Sequence, residues 1–190
     1  MSQRRVLILK GSPRKKGNSA ILADQVAAGV AEVGAAVESF DLHDMEIRPC
    51  DGCDFCQGSG ECVINDDMQL LYPKLREADA IVIASPIYWF MVSAQVKACI
   101  DRWYALEGAG EGALAGKEFG VVLVYGDNDP YSSGAVNAIR MLQDIARYEK
   151  ATIAGLVYGS ASDPGEIASQ AELMKRAYAL GQRLGTGAGS

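Results

Sequence analysis

The run Ala80-Ile81-Val82-Ile83-Ala84 is apolar at every position. Successive side chains of a strand point to opposite sides of a sheet, so a strand of this kind has to be covered on both faces. Sheets covered on both faces are typically parallel, because the crossovers that join parallel strands are helices lying on the faces. The rest of the chain supplies the parts. Arg5 to Leu9, Val37 to Leu42, Phe119 to Tyr125 and Thr152 to Tyr158 are further short runs of strand type. Between them apolar residues recur at helical spacing. Leu22, Val26, Val30 and Val33 follow Ser19, and Val92, Val96, Cys99, Ile100 and Trp103 follow the third strand. Val136, Ile139, Leu142 and Ile145 lie within Ser132 to Tyr148, and Leu173, Ala177, Leu180 and Leu184 form a last stripe. Five strands alternating with helices predict an α/β fold with a five-stranded parallel sheet and helices on both faces. The small, Gly-rich tail from Gly185 to Ser190 is expected to fray.

Length and charge narrow the function. The 190 residues show no linker and no internal repeat, and the expectation is a single domain over residues 1–190. A net charge of −6 supplies no basic face for nucleic acid. No stretch approaches the roughly 18 apolar residues of a membrane span. The run Val6 to Leu9 behind Arg4 and Arg5 is too short for a secretory signal. A cytoplasmic location follows as the expectation, and there thiols stay reduced. The single histidine, His43, excludes H-E-x-x-H and Cys2His2 metal chemistry and leaves no Ser-His-Asp constellation. It reads as a surface residue beside Asp41 and Asp44, and no residue is assigned an acid–base role.

Ligands of such sheets bind beyond the carboxyl ends of the strands, where strand order switches. The loop after the first strand runs Gly11-Ser12-Pro13-Arg14-Lys15-Lys16-Gly17-Asn18-Ser19 and leads into a helix. Free N–H groups at a helix start, the helix dipole and three basic side chains make this a phosphate cradle. It is not a P-loop, since Asn18 stands where the lysine belongs, and it fails the second glycine of G-x-G-x-x-G. The alternative is a solvated basic turn with Asn18 or Ser19 capping the helix. Ser85-Pro86-Ile87-Tyr88-Trp89-Phe90-Met91 follows the third strand. Its aromatics suit a flat ligand or, equally, a second subunit. Gly126 and Asp127 after the fourth strand form a third wall, in a polar turn cluster.

Arg48 to Asn65 is too long for a routine connection. Within it Cys50, Cys53, Cys56 and Cys62 form C-x2-C-x2-C-x5-C. Short spacings place three sulfurs around one face of an iron–sulfur cubane, and a longer return brings the fourth. Gly52, Gly58 and Gly60 permit the turns. Tetrahedral zinc, disulfides or a site without metal are the alternatives. Structural zinc sites favour two separated knuckles, and a reducing compartment disfavours disulfides. Asp66 reads as a helix cap, with Gln69 completing a pair of capping-box type. Cys99 reads as a small core hydrophobe, and Asp101-Arg102 as a surface or interface charge pair.

The G-S-P-R-x-x-G-N-S loop together with S-P-I-Y-W resembles the flavodoxin-like NAD(P)H-dependent FMN reductase superfamily, from Val6 to about Tyr158. The resemblance implies a three-layer sandwich with strand order 2-1-3-4-5 and bound FMN. It places the phosphate on Ser12, Arg14, Gly17, Asn18 and Ser19. The flavin ring would lie against Pro86, Ile87, Tyr88, Trp89 and Phe90, with Gly126 and Asp127. The cysteine spacing, followed by Asp66-Asp67-Met68, is similar to the iron–sulfur flavoproteins, a branch of that superfamily. That implies a [4Fe–4S] cluster on Cys50, Cys53, Cys56 and Cys62, electron transfer from NADPH or NADH to a small-molecule or protein partner, and a homodimer or homotetramer. A cluster-free FMN or quinone reductase, a non-enzymatic flavodoxin-like carrier and a zinc-stapled binding protein are the other readings.

Overall fold

The computed structural model describes residues 3–108 and 112–187. Five parallel strands form the sheet: β1 (Arg5–Lys10), β2 (Ala36–Asp41), β3 (Ala80–Tyr88), β5 (Glu118–Tyr125) and β6 (Thr152–Ser160). Their order is β2-β1-β3-β5-β6, which is 2-1-3-4-5 counted over the parallel strands alone. A sixth, two-residue strand, β4 (Met91–Val92), turns back antiparallel on the end of β3. β3 therefore runs beyond Ala84, with Ser85 and Pro86 still in register opposite Leu123 and Val124 of β5. β2 ends at Asp41, and Leu42 opens a 3₁₀ turn instead of closing the strand.

Alternation along the strands builds two cores. Leu7, Leu9, Ile81, Ile83, Phe119, Val121 and Leu123 face one side. They pack there with Leu71 and Leu75 of α3 (Met68–Glu77), Val96 and Cys99 of α4 (Ala94–Asp101) and Leu142 of α6 (Ala135–Tyr148). Val6, Ile8, Val82, Ala84, Val122 and Val124 face the other side, beneath Leu22 and Val26 of α1 (Asn18–Glu32) and Ala177 and Leu180 of α7 (Ala171–Thr186). This period of two makes every residue of the Ala80–Ala84 run a core residue. Two single-turn helices, α2 (Cys56–Ser59) and α5 (Tyr104–Glu107), are too short to leave a periodic trace in the sequence. Among the described residues no helix is long and apolar enough to cross a membrane.

The tail differs from its expectation. Gly185 is buried in the last turn of α7 against Val33 and Ala35, and Gly187, at φ +67°, caps the helix. Residues 188–190 lie outside the described residues.

α1 and α7 cross backbone to backbone. A Cβ at Gly181 would collide with the Val26 carbonyl, and one at Gly29 with the Tyr178 carbonyl. Neither obstacle is a flexible side-chain end, so the helices themselves have to part. Gly181→Ala is expected to cost about 1–3 kcal/mol, the usual range for overpacking, although alanine is the better helix former. A lowered denaturant midpoint at unchanged slope checks this; a midpoint equal to or above the wild type's contradicts the crossing.

Candidate functional site

The carboxyl ends of β1, β3 and β5 open into one continuous groove. Its inner part, about 300 Å³, is lined by Ser12, Arg14, Gly17, Asn18 and Ser19 on one side and by Pro86, Ile87, Tyr88 and Gly126 on the other. Its outer part, about 660 Å³, carries Trp89, Phe90 and Asp127 and shares Ile87, Tyr88, Tyr125 and Gly126 with the inner part. The structure thus brings all twelve candidate residues of the three loops to one groove.

At the inner end, Gly17 is the N-cap of α1 and no side chain caps the helix, so neither Asn18 nor Ser19 is a cap. The first helical bond runs from the Ile21 amide to the Gly17 carbonyl. Among the described residues nothing accepts the amides of Asn18, Ser19 and Ala20. Three unpartnered N–H groups at the positive end of a helix fit an anion. Gly17 is obligatory here, because the Ser12 hydroxyl occupies the place of a Cβ. That hydroxyl also folds the loop, donating to the Arg14 carbonyl (2.9 Å) and accepting from the Arg14 amide (3.1 Å). The basic side chains divide. Lys15 turns away to pair with Asp44 at 2.8 Å, which raises the lysine pKa, whereas Arg14 lines the groove. The Asn18 carboxamide is engaged as a latch: it donates to the Asp163 carbonyl (2.9 Å) and accepts from the Ile167 amide (3.3 Å). It holds α1 to the loop after β6.

At the outer end, Tyr88 and Met91 pair across a two-residue turn made by Trp89 and Phe90, at φ +47° and +67°. Such turns normally take Asn-Gly, since other residues are strained there at about 1–3 kcal/mol each. The surroundings hold the geometry. Phe90 packs on Gly134, itself at φ +75°, and the Phe90 carbonyl accepts from Asn137 Nδ2 at 3.3 Å. Trp89 stands 93% exposed, edge-on to Phe90. Opposite, Asp129 gathers the amides of Tyr131 and Ser132 and so shapes the loop after β5.

Two sets of residues were not visible in the sequence. The loop after β6 forms a fourth wall, with Ala161 and Ser162 in the inner part and the Ser162 hydroxyl donating to the Gly126 carbonyl at 3.0 Å. The turn cluster Ser162-Asp163-Pro164-Gly165 at the end of the last strand is the signal that could have found it. Buried Ser93 ties the loop after β1 and the end of β3 to the start of α4: its hydroxyl donates to the Gly11 carbonyl (2.7 Å), its amide to Ser85 Oγ (2.9 Å), and it caps α4.

The cysteine loop lies beside α3, α4 and α5. Cys56 is buried at the start of α2, Cys62 is half-buried, and Cys50 and Cys53 are exposed. Gly52 and Asp54 take positive φ between them, at +69° and +56°. All four are free thiols, and among the described residues no three Cys, His, Asp or Glu side chains stand close enough to share a metal ion. Four thiols on thirteen residues nonetheless form the donor set of an iron–sulfur cluster or zinc. Cys99, by contrast, is a core residue whose thiol burial pushes up to about 12.

Two expectations fail at the root of this loop. Arg102 is not on the surface. Its side chain is fully buried and pairs with Asp66 through Nη1 (2.6 Å) and Nη2 (3.2 Å), while Asp101 pairs with Lys97. Gln69 does not complete a capping box but donates to the Cys62 and Ile64 carbonyls. Asp66 accepts from the Met68 amide and also from the Arg48 amide across the loop. Burial pushes the Asp66 pKa up, but Arg102 and these two amides outweigh it and hold the carboxyl below its usual value.

Residues 4–169 match the NADPH-dependent FMN reductase family. An iron–sulfur flavoprotein of Archaeoglobus fulgidus is 34% identical over 92% of this chain and 76% of its own. One of Methanocaldococcus jannaschii is 41% identical over 52% of this chain and 51% of its own, so the chain spans about half the length of that relative. The NAD(P)H:quinone oxidoreductase of Methanothermobacter marburgensis superposes with a TM-score of 0.77 over 96% of both chains, at 22% identity, and shares the fold.

The ion pair at the loop root has a pH signature. A carboxyl with a lowered folded pKa stabilises the protein above its unfolded value, and that stability is lost as pH falls through the folded pKa. Asp66→Asn should therefore cost about 3–5 kcal/mol at neutral pH, the range for breaking a buried pair. The deficit should close as pH falls below the ordinary aspartate value of 3.8. Denaturant titrations of both proteins at several pH values check this. A deficit independent of pH contradicts it.

Proposed function

Because the chain belongs to the NADPH-dependent FMN reductase family and, within it, to the iron–sulfur flavoproteins, we propose that it is a flavin-dependent oxidoreductase that binds FMN in the groove and a [4Fe–4S] cluster on the cysteine loop. The observation that carries the flavin reading is the row of unpartnered amides at the start of α1, under a cleft that opens onto aromatic side chains. In this reading those amides and Arg14 hold the phosphate, with Ser12 and Gly17 fixing the turn and Ser19 lining the pocket. The ring lies along Pro86, Ile87 and Tyr88 between the Trp89-Phe90 turn and Gly126-Asp127. Asn18 acts at one remove, by latching the loop after β6 against the phosphate end. Bound FMN exchanges one or two electrons and the cluster one, so the chain's own task is to orient both groups and keep water from the ring. NADPH or NADH as donor, a small-molecule or protein acceptor, a cytoplasmic location and a homodimer or homotetramer complete the proposal. The exposed Trp89 supports a subunit or substrate contact.

The separation of the four thiols favours one second reading, a cluster-free FMN or quinone reductase. Anaerobic purification followed by iron, acid-labile sulfide and FMN assays decides between them. About four iron and four sulfide per chain are expected for the first; flavin without iron or sulfide leaves the second. Cys53→Ser is expected to remove the iron and spare the flavin.

The phosphate site has its own test. Arg14→Ala removes a charge-assisted bond worth about 1.5–3 kcal/mol, so FMN should bind roughly ten- to a hundredfold more weakly in a fluorescence titration. Gly17→Ala, which drives the Ser12 hydroxyl from its place, should weaken FMN by a similar factor. Unchanged affinity in both would remove the phosphate from this loop.

A further inference from the structure

Arg102 is the largest of the fully buried side chains among the described residues, at 1% exposure. A guanidinium has five N–H groups and stays charged at all ordinary pH values. Nη1 donates to the Arg48 carbonyl at 2.9 Å and to Asp66. Nη2 donates to Asp66, to the Ile64 carbonyl at 3.4 Å and to Cys62 Sγ at 3.3 Å. The side chain therefore fastens both ends of the cysteine loop, at Arg48 and at Ile64, and touches one of its sulfurs. Its Nε is buried and has no acceptor. A dry cationic N–H without a partner is costly, and Asp66 and the two carbonyls are already engaged by the other nitrogens. What the Nε lacks is an acceptor, on a planar guanidinium whose Nη2 already reaches Cys62 Sγ. Anionic sulfur, as a thiolate or sulfide of a cluster held by the four cysteines, is the acceptor that this loop's chemistry supplies.

We propose that Arg102 is a positioning residue that donates N–H hydrogen bonds to the sulfur of the cluster and thereby raises its reduction potential. The inference rests on the cluster reading above. Reduction adds one negative charge to the cluster, and N–H donors fixed in a dry site stabilise the more negative state. Asp66 offsets the monopole of Arg102, so in the wild type the directed N–H groups act with the charge largely balanced. This yields a prediction that a purely structural role does not share. Arg102→Met removes the charge and every N–H donor and should lower the potential, shifting the reduction equilibrium by roughly tenfold or more, the worth of a charged hydrogen bond. Asp66→Asn removes the balancing anion and should raise it. A residue that only fastened the loop would give shifts of the same sign in both, through the same loosening.

The experiment is an anaerobic redox titration of the iron-loaded protein and both variants, followed by EPR, with the flavin potential as internal reference. Opposite shifts of the cluster with an unmoved flavin support the proposal; shifts of one sign, or none, overturn it. If the variants fail to retain iron, the wild type carries the test: protein labelled with ¹⁵N-arginine should show ¹⁵N hyperfine coupling to the reduced cluster. Loaded wild type with no such coupling overturns the proposal and leaves the cluster standing. Wild type without iron or sulfide after anaerobic purification removes the cluster and this inference together, and the assay separates that failure from the other.

Discussion

Burial of the sheet on both faces governs where anything else can be placed. Side chains of β1, β3 and β5 are taken up alternately by the two cores, and the helices that cover them leave no face of these strands to solvent. Only the two rims of the sheet remain. The amino rim is closed by charge: Lys117 Nζ donates to the Arg76 and Ala78 carbonyls at the end of α3, and Arg4 pairs with Glu118. Cations suit that rim because carbonyls converge there. At the carboxyl rim the polarity is reversed. α1 begins just beyond β1 and presents amides that nothing among the described residues accepts. The groove lies at the rim whose polar groups are left without partners, not at the rim whose charges are already paired.

The cysteine segment obeys a different logic, because no ladder of sheet hydrogen bonds supports it. It is stitched at its stem instead. The Asp67 amide donates to the Glu46 carbonyl (3.0 Å), the Glu46 amide to Asp67 Oδ2 (2.7 Å), and one level further along Asp66 and Arg102 join Arg48 to Ile64. At its centre the Arg102–Asp66 pair is buried, while Glu46 and Arg48 on the outer side of the stem are exposed. The tip, with Cys50 and Cys53, is exposed. The other two thiols sit nearer the core: Cys56 is buried in it and Cys62 packs against it.

How far the sequence can be read follows from which forces leave a period. The five parallel strands and the two-faced core were legible because burial on both faces leaves short runs that are apolar throughout, whereas the strand order came from the resemblance and not from any period. The glycine-bounded loop after β1 was legible because Gly17 and the following helix mark a backbone requirement. Arg102 was not, since an adjacent Asp-Arg pair at the end of a helix reads as a surface or interface charge pair, and the surface is where most arginines lie. Its partner is thirty-six positions away in sequence, and no local pattern announces such a pair. The turn at Trp89-Phe90 was invisible for a related reason. Turn recognition relies on Gly, Asn or Pro, and this turn has none of them. The loop after β6 carried proper turn residues but stands as the fourth of four walls, and position alone singled out the first three.

The Trp89-Phe90 turn is where local preference and position disagree most. Asn-Gly at these two positions would satisfy the left-handed backbone at no steric cost. It would also remove the side chain that fits over Gly134 and the flat faces at the outer end of the groove. The strain is sustained from outside the turn: Gly134 gives way to the Phe90 ring, and Asn137 holds its carbonyl. Both belong to the start of α6, which a long polar loop connects to β5. The outer wall of the groove is therefore set by three elements at once, the β3–β4 hairpin, the loop organised by Asp129 and the first turn of α6. Phe90 is where the hairpin and the first turn of α6 meet, whereas the inner end is held separately, by Ser12 within its own loop and by Asn18 against the loop after β6.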